Sequence, residues 1–171
     1  MSLAALVRRG LEPALWPLVA AGLSLALLGG AFGFEVFGNY PPCPMCVTQR
    51  WIHAGVIAAG LAALALVRFG PSSRLAAAAG PAATGALFLV SAVYAGRHAA
   101  VEYGFITTGC SSAGASAPDD LDSLLSGLDR AQNVVLCDEA AWSFLGVSMA
   151  GYNALISLAA AGAAAYVTVR A

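Results

Sequence analysis

Charge is what this chain has least of. Of its 171 residues only 10% are charged, against roughly 25% in an ordinary globular domain. Hydrophobic residues make up 60% and the mean hydropathy is +0.79. A water-soluble fold could not cover so large an apolar fraction with so few charges, which excludes a soluble bundle as the working description. No basic run is present and the net charge is −1, which argues against a nucleic-acid partner. A Gly-rich phosphate loop and a HExxH zinc helix are both missing, and so is any haem or flavin motif.

What the chain has instead is long apolar stretches, each near the roughly 20 residues that cross a bilayer as a helix. Four are expected, over about 15–34, 47–67, 75–95 and 143–167. They imply an all-α membrane protein, a four-transmembrane-helix bundle forming one integral domain over residues 1–171. The first stretch follows Arg8 and Arg9, as a secretory signal would. Its apolar core outruns the usual signal h-region of about 7–15 residues, so a retained helix is the better reading. Gly and Ala are dense in all four, as at Gly55, Ala59 and Gly151, and small residues let helices approach in lipid. An alanine-rich composition bias would look the same.

The basic residues orient the bundle. Arg8, Arg9, Arg68, Arg74 and Arg170 fall on one side, and Arg50, Arg97 and Arg130 on the other. The excess marks the cytoplasmic side, so both termini are expected there. The loops at about 35–46 and 96–142 then face outward, and with them all four cysteines, on the side where disulfides persist. In the longer loop Leu121, Leu124, Leu125 and Leu128 recur on one helical face, behind Pro118 and the acidic Asp119, Asp120 and Asp122. This pattern predicts a short amphipathic helix, lying on the bilayer or packed on the bundle.

The chemistry centres on Pro42-Cys43-Pro44-Met45-Cys46-Val47-Thr48-Gln49-Arg50. The Cys-x-x-Cys spacing at a helix start puts both sulfurs on one face within disulfide reach. A helix N-terminus and a nearby cation both favour thiolate, the reactive form. Arg50 is that cation, or else a snorkelling anchor for lipid phosphate. Arg97 and His98 carry the same ambiguity, and His53 reads as a satisfied histidine inside the bundle. Zinc would need two more ligands close by, which the spacing of Cys110 and Cys137 does not offer. An inert structural disulfide remains an alternative, and spacing alone leaves three pairings of the four cysteines open.

The first motif resembles the first-loop signature of the disulfide bond formation protein B (DsbB) family, quinone-dependent thiol oxidases of the bacterial inner membrane. A second stretch, Cys137-Asp138-Glu139-Ala140-Ala141-Trp142-Ser143-Phe144-Leu145-Gly146-Val147-Ser148-Met149, is similar to that family's second-loop cysteine leading into the fourth helix. Tyr152 stands where many relatives carry Trp. The likeness extends over essentially the whole chain.

The resemblance implies a relay. Cys110 and Cys137 would form a disulfide in the outer loop, and Cys43 and Cys46 a second one. A reduced periplasmic thioredoxin-like oxidase (DsbA-like) would attack Cys110, Cys137 would exchange with Cys43, and Cys46 would pass electrons to a membrane quinone, ubiquinone or menaquinone. Arg50, His98 and Cys46 would line the quinone site, with no metal. A vitamin-K-epoxide-reductase-like quinone reductase is the nearest alternative, although its redox pair lies late in the chain. A disulfide-stapled or zinc-binding membrane protein without catalysis is another.

Overall fold

The computed structural model describes residues 11–69, 74–107 and 137–171. Four helices carry the fold: α1 (Trp16–Gly38), α2 (Pro44–Phe69), α3 (Arg74–Glu102) and α4 (Met149–Arg170). All four are long and apolar enough to cross a membrane, so the chain is an all-α, multi-pass membrane bundle. The expected amphipathic helix, Cys110 and Arg130 lie outside the described residues, as does the N-terminal Arg8-Arg9 pair.

The outer face of the bundle is apolar, and its polar side chains gather in the interior beside an apolar core. Leu25, Trp51, Val93 and Leu155 are among many exposed apolar side chains, whereas Ser24, Gln49, His53, Ser91, His98 and Ser157 are buried. That inversion suits lipid as the solvent, because a polar side chain within the bilayer turns toward the bundle interior. Neighbouring helices in sequence pack on one another, α1 on α2, α2 on α3 and, most extensively, α3 on α4. Small residues set these approaches. A Cβ on Gly85 would lie 2.7 Å from the Ala164 Cβ across the α3–α4 contact, and one on Gly80 would lie 2.6 Å from the Ala63 Cβ. Gly55, singled out by composition, has only an ordinary contact with Leu87 at 3.9 Å.

Both prolines of the entry turn and helix are accommodated. Pro17 sits in the first turn of α1, where an amide donor is not needed. Pro81 lies inside α3. There Thr84 Oγ1 donates to the carbonyls of Gly80 and Pro81 (2.9 and 3.2 Å) and accepts from Trp16 Nε1 at 2.9 Å. The indole of α1 is thereby tied to the proline turn of α3.

Helix limits differ from the hydropathy reading at the outward end. α1 continues to Gly38, α2 begins at Pro44 and α3 reaches Glu102. The fourth helix starts at Met149 instead of near 143. Residues 143–148 form a hairpin, β1 (Ser143–Phe144) paired antiparallel with β2 (Val147–Ser148) in the register Ser143 to Ser148. Its two-residue loop, Leu145-Gly146, has φ of 50° and 77°, the doubly left-handed conformation of a type I′ turn. Hydropathy does not separate this hairpin from the helix because both are apolar. Tyr103, just past α3, clamps it: its hydroxyl donates to the Gly146 carbonyl (3.0 Å) and accepts from the Ser148 amide (2.9 Å).

Candidate active site

The alternating direction of the helices brings four ends together: the last turns of α1 and α3 and the first turns of α2 and α4. A cavity of about 340 Å³ opens there, lined by Cys43, Cys46, Arg50, His98, Trp142 and Asn153 among others.

Cys43 is the residue immediately before α2. Its carbonyl accepts from the Val47 amide (3.1 Å) and its sulfur from the Cys46 amide (3.1 Å). It therefore occupies the N-cap position, where an acceptor side chain normally serves the third amide of the helix. Pro44 follows at the first helical position, where its missing donor costs nothing. Cys43 and Cys46 are both free, with their Sγ atoms in hydrogen-bond contact at 2.8 Å. The Cys46 thiol, the His98 ring 3.5 Å away and the Cys46 backbone amide pull the Cys43 pKa well below that of an ordinary thiol, against an upward push from burial. Of the two thiols, Cys43 is therefore the one whose thiolate the site favours.

His98 is 2% exposed and gripped from behind. Gln49 Nε2 lies 2.7 Å from its Nδ1, so the proton on Nε2 faces Cys43. The grip continues inward: Asn153 Nδ2 donates to Gln49 Oε1 (2.6 Å), and Asn153 Oδ1 meets His53 Nε2 (2.9 Å) and the Ser157 hydroxyl (3.1 Å). His53 is closed off by Ser24 at 3.2 Å and Ser91 at 3.3 Å, and is the satisfied interior histidine that its position in the span suggested. Arg97, next to His98, is exposed.

Arg50 reaches the cavity but not the sulfurs. It forms an ion pair with Glu35, donates to the Ala31 carbonyl at 3.4 Å and lies 4.5 Å over the Phe32 ring. The pairing exists because α1 extends through residue 35, which the hydropathy limits assign to a loop. Arg50 Nε is buried with no hydrogen-bond partner among the described residues, and so is Glu102 Oε2. Glu102, one turn beyond His98, places Oε1 3.6 Å from His98 Nε2. Gln49, Asn153, Glu35 and Glu102 escaped the sequence reading. A polar side chain spaced four residues from another within an apolar span would have pointed to Gln49, Glu102 and Asn153: 49 and 53, 98 and 102, 153 and 157.

Cys137 is disulfide-bonded and 2% exposed, packed in one buried cluster with Cys43, Met45 and Val101. The chain after it returns over the cavity, where Trp142 packs on Phe34 (centroids 5.1 Å apart) and Phe144 (6.2 Å). The structure thus brings Cys43, Cys46, Cys137, His98 and Arg50 to one end of the bundle.

No curated protein and no solved structure matches the chain. A family model described as disulfide bond formation protein DsbB matches residues 13–167. With that match spanning all four helices and a free cysteine pair set beside a disulfide-bonded third cysteine, the chain belongs to the DsbB family, membrane disulfide oxidoreductases that serve disulfide bond formation.

Proposed function

We propose that the protein is an inner-membrane thiol oxidase that re-oxidises a DsbA-like periplasmic dithiol protein and delivers the electrons to a membrane quinone. On this reading both termini are cytoplasmic, the cavity end faces the periplasm, and the redox disulfides are Cys110–Cys137 and Cys43–Cys46. The observation that carries it is that Cys137 shares one buried cluster with Cys43, and Cys43 lines the cavity together with Cys46 and Arg50.

The exchange proceeds by thiolate attack. A thiolate of the reduced partner bonds to Cys110 and releases Cys137 as thiolate. Cys137 bonds to Cys43 and releases Cys46, so each bond formed replaces one broken. The partner's second thiolate then frees Cys110, and Cys110 displaces Cys43 from Cys137. The outer disulfide is restored and the inner pair is left as the dithiol. Two electrons have moved from the partner to Cys43 and Cys46.

The cavity suits a quinone. It is largely apolar, its volume is about 340 Å³, and the buried Arg50 Nε–H has no protein acceptor among the described residues, leaving it for a carbonyl oxygen. A quinone, ubiquinone or menaquinone, supplies there an acceptor for two electrons and two protons. The chain's own contribution is to hold a thiolate at Cys43 through the helix N-terminus and His98, to keep the Cys46 proton within reach, and to keep Arg50 oriented through Glu35.

The test is anaerobic mixing of the purified protein with a reduced partner and a soluble quinone, following quinone absorbance. The proposal expects stoichiometric quinone loss, and no loss refutes it. Arg50→Ala is expected to slow quinone turnover at least tenfold while leaving the mixed disulfide with the partner intact. Equal loss of both would make Arg50 a lipid anchor.

A further inference from the structure

We propose that the dithiol form of the cavity is a zinc site, built from Cys43, Cys46, His98 and Glu102, that exists only while the inner cysteine pair is reduced. Sequence spacing offers Cys43 and Cys46 no further ligand nearby. Folding supplies two, from the last turn of α3. The donor atoms of Cys43, Cys46 and His98 all lie within 4.8 Å of one another. Glu102 lies just outside that group, with Oε1 3.6 Å from His98 Nε2; its buried carboxylate, whose Oε2 has no hydrogen-bond partner among the described residues, turns toward the sulfurs to complete the set.

Three edges of the tetrahedron can be compared with zinc geometry. Tetrahedral zinc with bonds of about 2.3 Å to sulfur and about 2.0–2.1 Å to nitrogen and oxygen needs ligand separations of roughly 3.8 Å (S to S), 3.6 Å (S to N) and 3.4 Å (N to O). The Cys43 Sγ to His98 Nε2 distance is 3.5 Å and the His98 Nε2 to Glu102 Oε1 distance is 3.6 Å. The Sγ–Sγ edge, at 2.8 Å, must open by about 1 Å, and the Glu102 carboxylate must move toward the sulfurs, since only Cys43, Cys46 and His98 form the close group. Losing the thiol proton shared between the sulfurs removes the hydrogen bond that holds that edge short, and Cys46 is the less buried of the two cysteines. Two thiolates, an imidazole and a carboxylate form a donor set for a borderline-soft divalent cation.

The surroundings are able to adapt. Coordination through Nε2 requires the His98 proton on Nδ1, facing an acceptor. Gln49 presents one when its amide turns over, which exchanges two ends of equal size. Asn153 turns with it, and the Ser157 and Ser24 hydroxyls and the second ring nitrogen of His53 accept either sense. The chain Gln49–Asn153–His53 thus serves both a metal-free and a metal-bound His98.

Oxidation of the pair to a disulfide removes two of the four ligands, so the site and the oxidised state are mutually exclusive. Bound zinc would hold the enzyme in its reduced state.

The experiment uses the full chain in detergent with Cys110 and Cys137 replaced by Ser, so that no other thiols compete, and in parallel the unsubstituted chain. Zinc is titrated against a chromophoric chelator, and Co²⁺ is used as a spectroscopic substitute. The reduced protein is expected to bind one equivalent and the oxidised protein none, with thiolate-to-cobalt charge-transfer bands. His98→Ala and Glu102→Gln should each weaken binding tenfold or more, and Gln49→Glu, a fixed acceptor for Nδ1–H, should tighten it. Equal binding by oxidised and reduced protein overturns the proposal. So does unchanged affinity in both His98→Ala and Glu102→Gln, which would leave only a bare cysteine pair. Binding is read without partner or quinone, so its failure is distinct from failure of the oxidase reading.

Discussion

Replacing His98 by Leu removes the imidazole that faces the Cys43 sulfur at 3.5 Å and should raise the Cys43 pKa. Hydrogen bonds to charged groups contribute roughly 1.5–3 kcal/mol, or about one to two pKa units at about 1.36 kcal/mol each. The contact is a long one, so about one unit is the expected shift. The Cys46 thiol is the larger stabilising influence, and Cys46→Ala should therefore shift the midpoint further than His98→Leu. The assay is pH titration of the reduced protein by thiolate ultraviolet absorbance, with the outer cysteines replaced by Ser. The sign is fixed by linkage. Cys43 is an acid whose pKa is depressed in the folded protein, so it stabilises the reduced fold fully above the ordinary thiol value of about 8.5. That contribution falls as pH drops toward the depressed pKa and is absent below it. The reduced protein should accordingly lose thermal stability on acidification, and in His98→Leu that loss should be smaller and end at a higher pH. A His98→Leu midpoint equal to that of the unsubstituted protein would refute the reasoning and leave the helix N-terminus and Cys46 as the only supports of the thiolate.

Two further outcomes concern the scaffold. Tyr103→Phe deletes both hydrogen bonds that clamp the hairpin and should cost about 1–2 kcal/mol, read as a lower Tm in detergent together with faster proteolysis after Trp142. An unchanged Tm would mean that the hairpin is held by its aromatic contacts alone. Gly85→Leu drives a side chain into Ala164, which a Cβ at this position would already meet at 2.7 Å, and should destabilise the bundle by at least about 1–3 kcal/mol. Gly22→Leu, whose Cβ would meet nothing within 4 Å, is the control expected to be near neutral.

The membrane class, the existence of four spans and the cysteine pair at a helix mouth were legible because each rests on local pattern. Apolar length marks a span wherever it occurs, and Cys43-Pro44-Met45-Cys46 announces its own helix start. The hairpin after Trp142 was not legible as such. Its apolar residues read equally well as the beginning of α4, and Leu at the first left-handed position of the turn departs from the usual Asn or Gly. Arg50 was found but its neighbour was not: Glu35 meets it only because α1 runs one turn farther than hydropathy suggested. Glu102, Gln49 and Asn153 act across sequence separations such as the 104 residues between the last two. No local pattern encodes such a contact. Even so, each is a polar side chain four residues from another in an apolar helix, and that spacing marks an inward face.

The sulfur at the N-cap of α2 has an electrochemical consequence. A thiolate is a far better acceptor for the Cys46 amide than a disulfide sulfur, so the first turn of the helix is bound more tightly after reduction than before it. Whatever free energy the cap adds to the reduced state is subtracted from the oxidised one, and about 1.4 kcal/mol of it makes a two-electron couple about 30 mV more oxidising. The helix end thereby acts as a fixed bias voltage on Cys43 and Cys46. It inclines them to take electrons, and it requires whatever accepts those electrons to lie at a higher potential still.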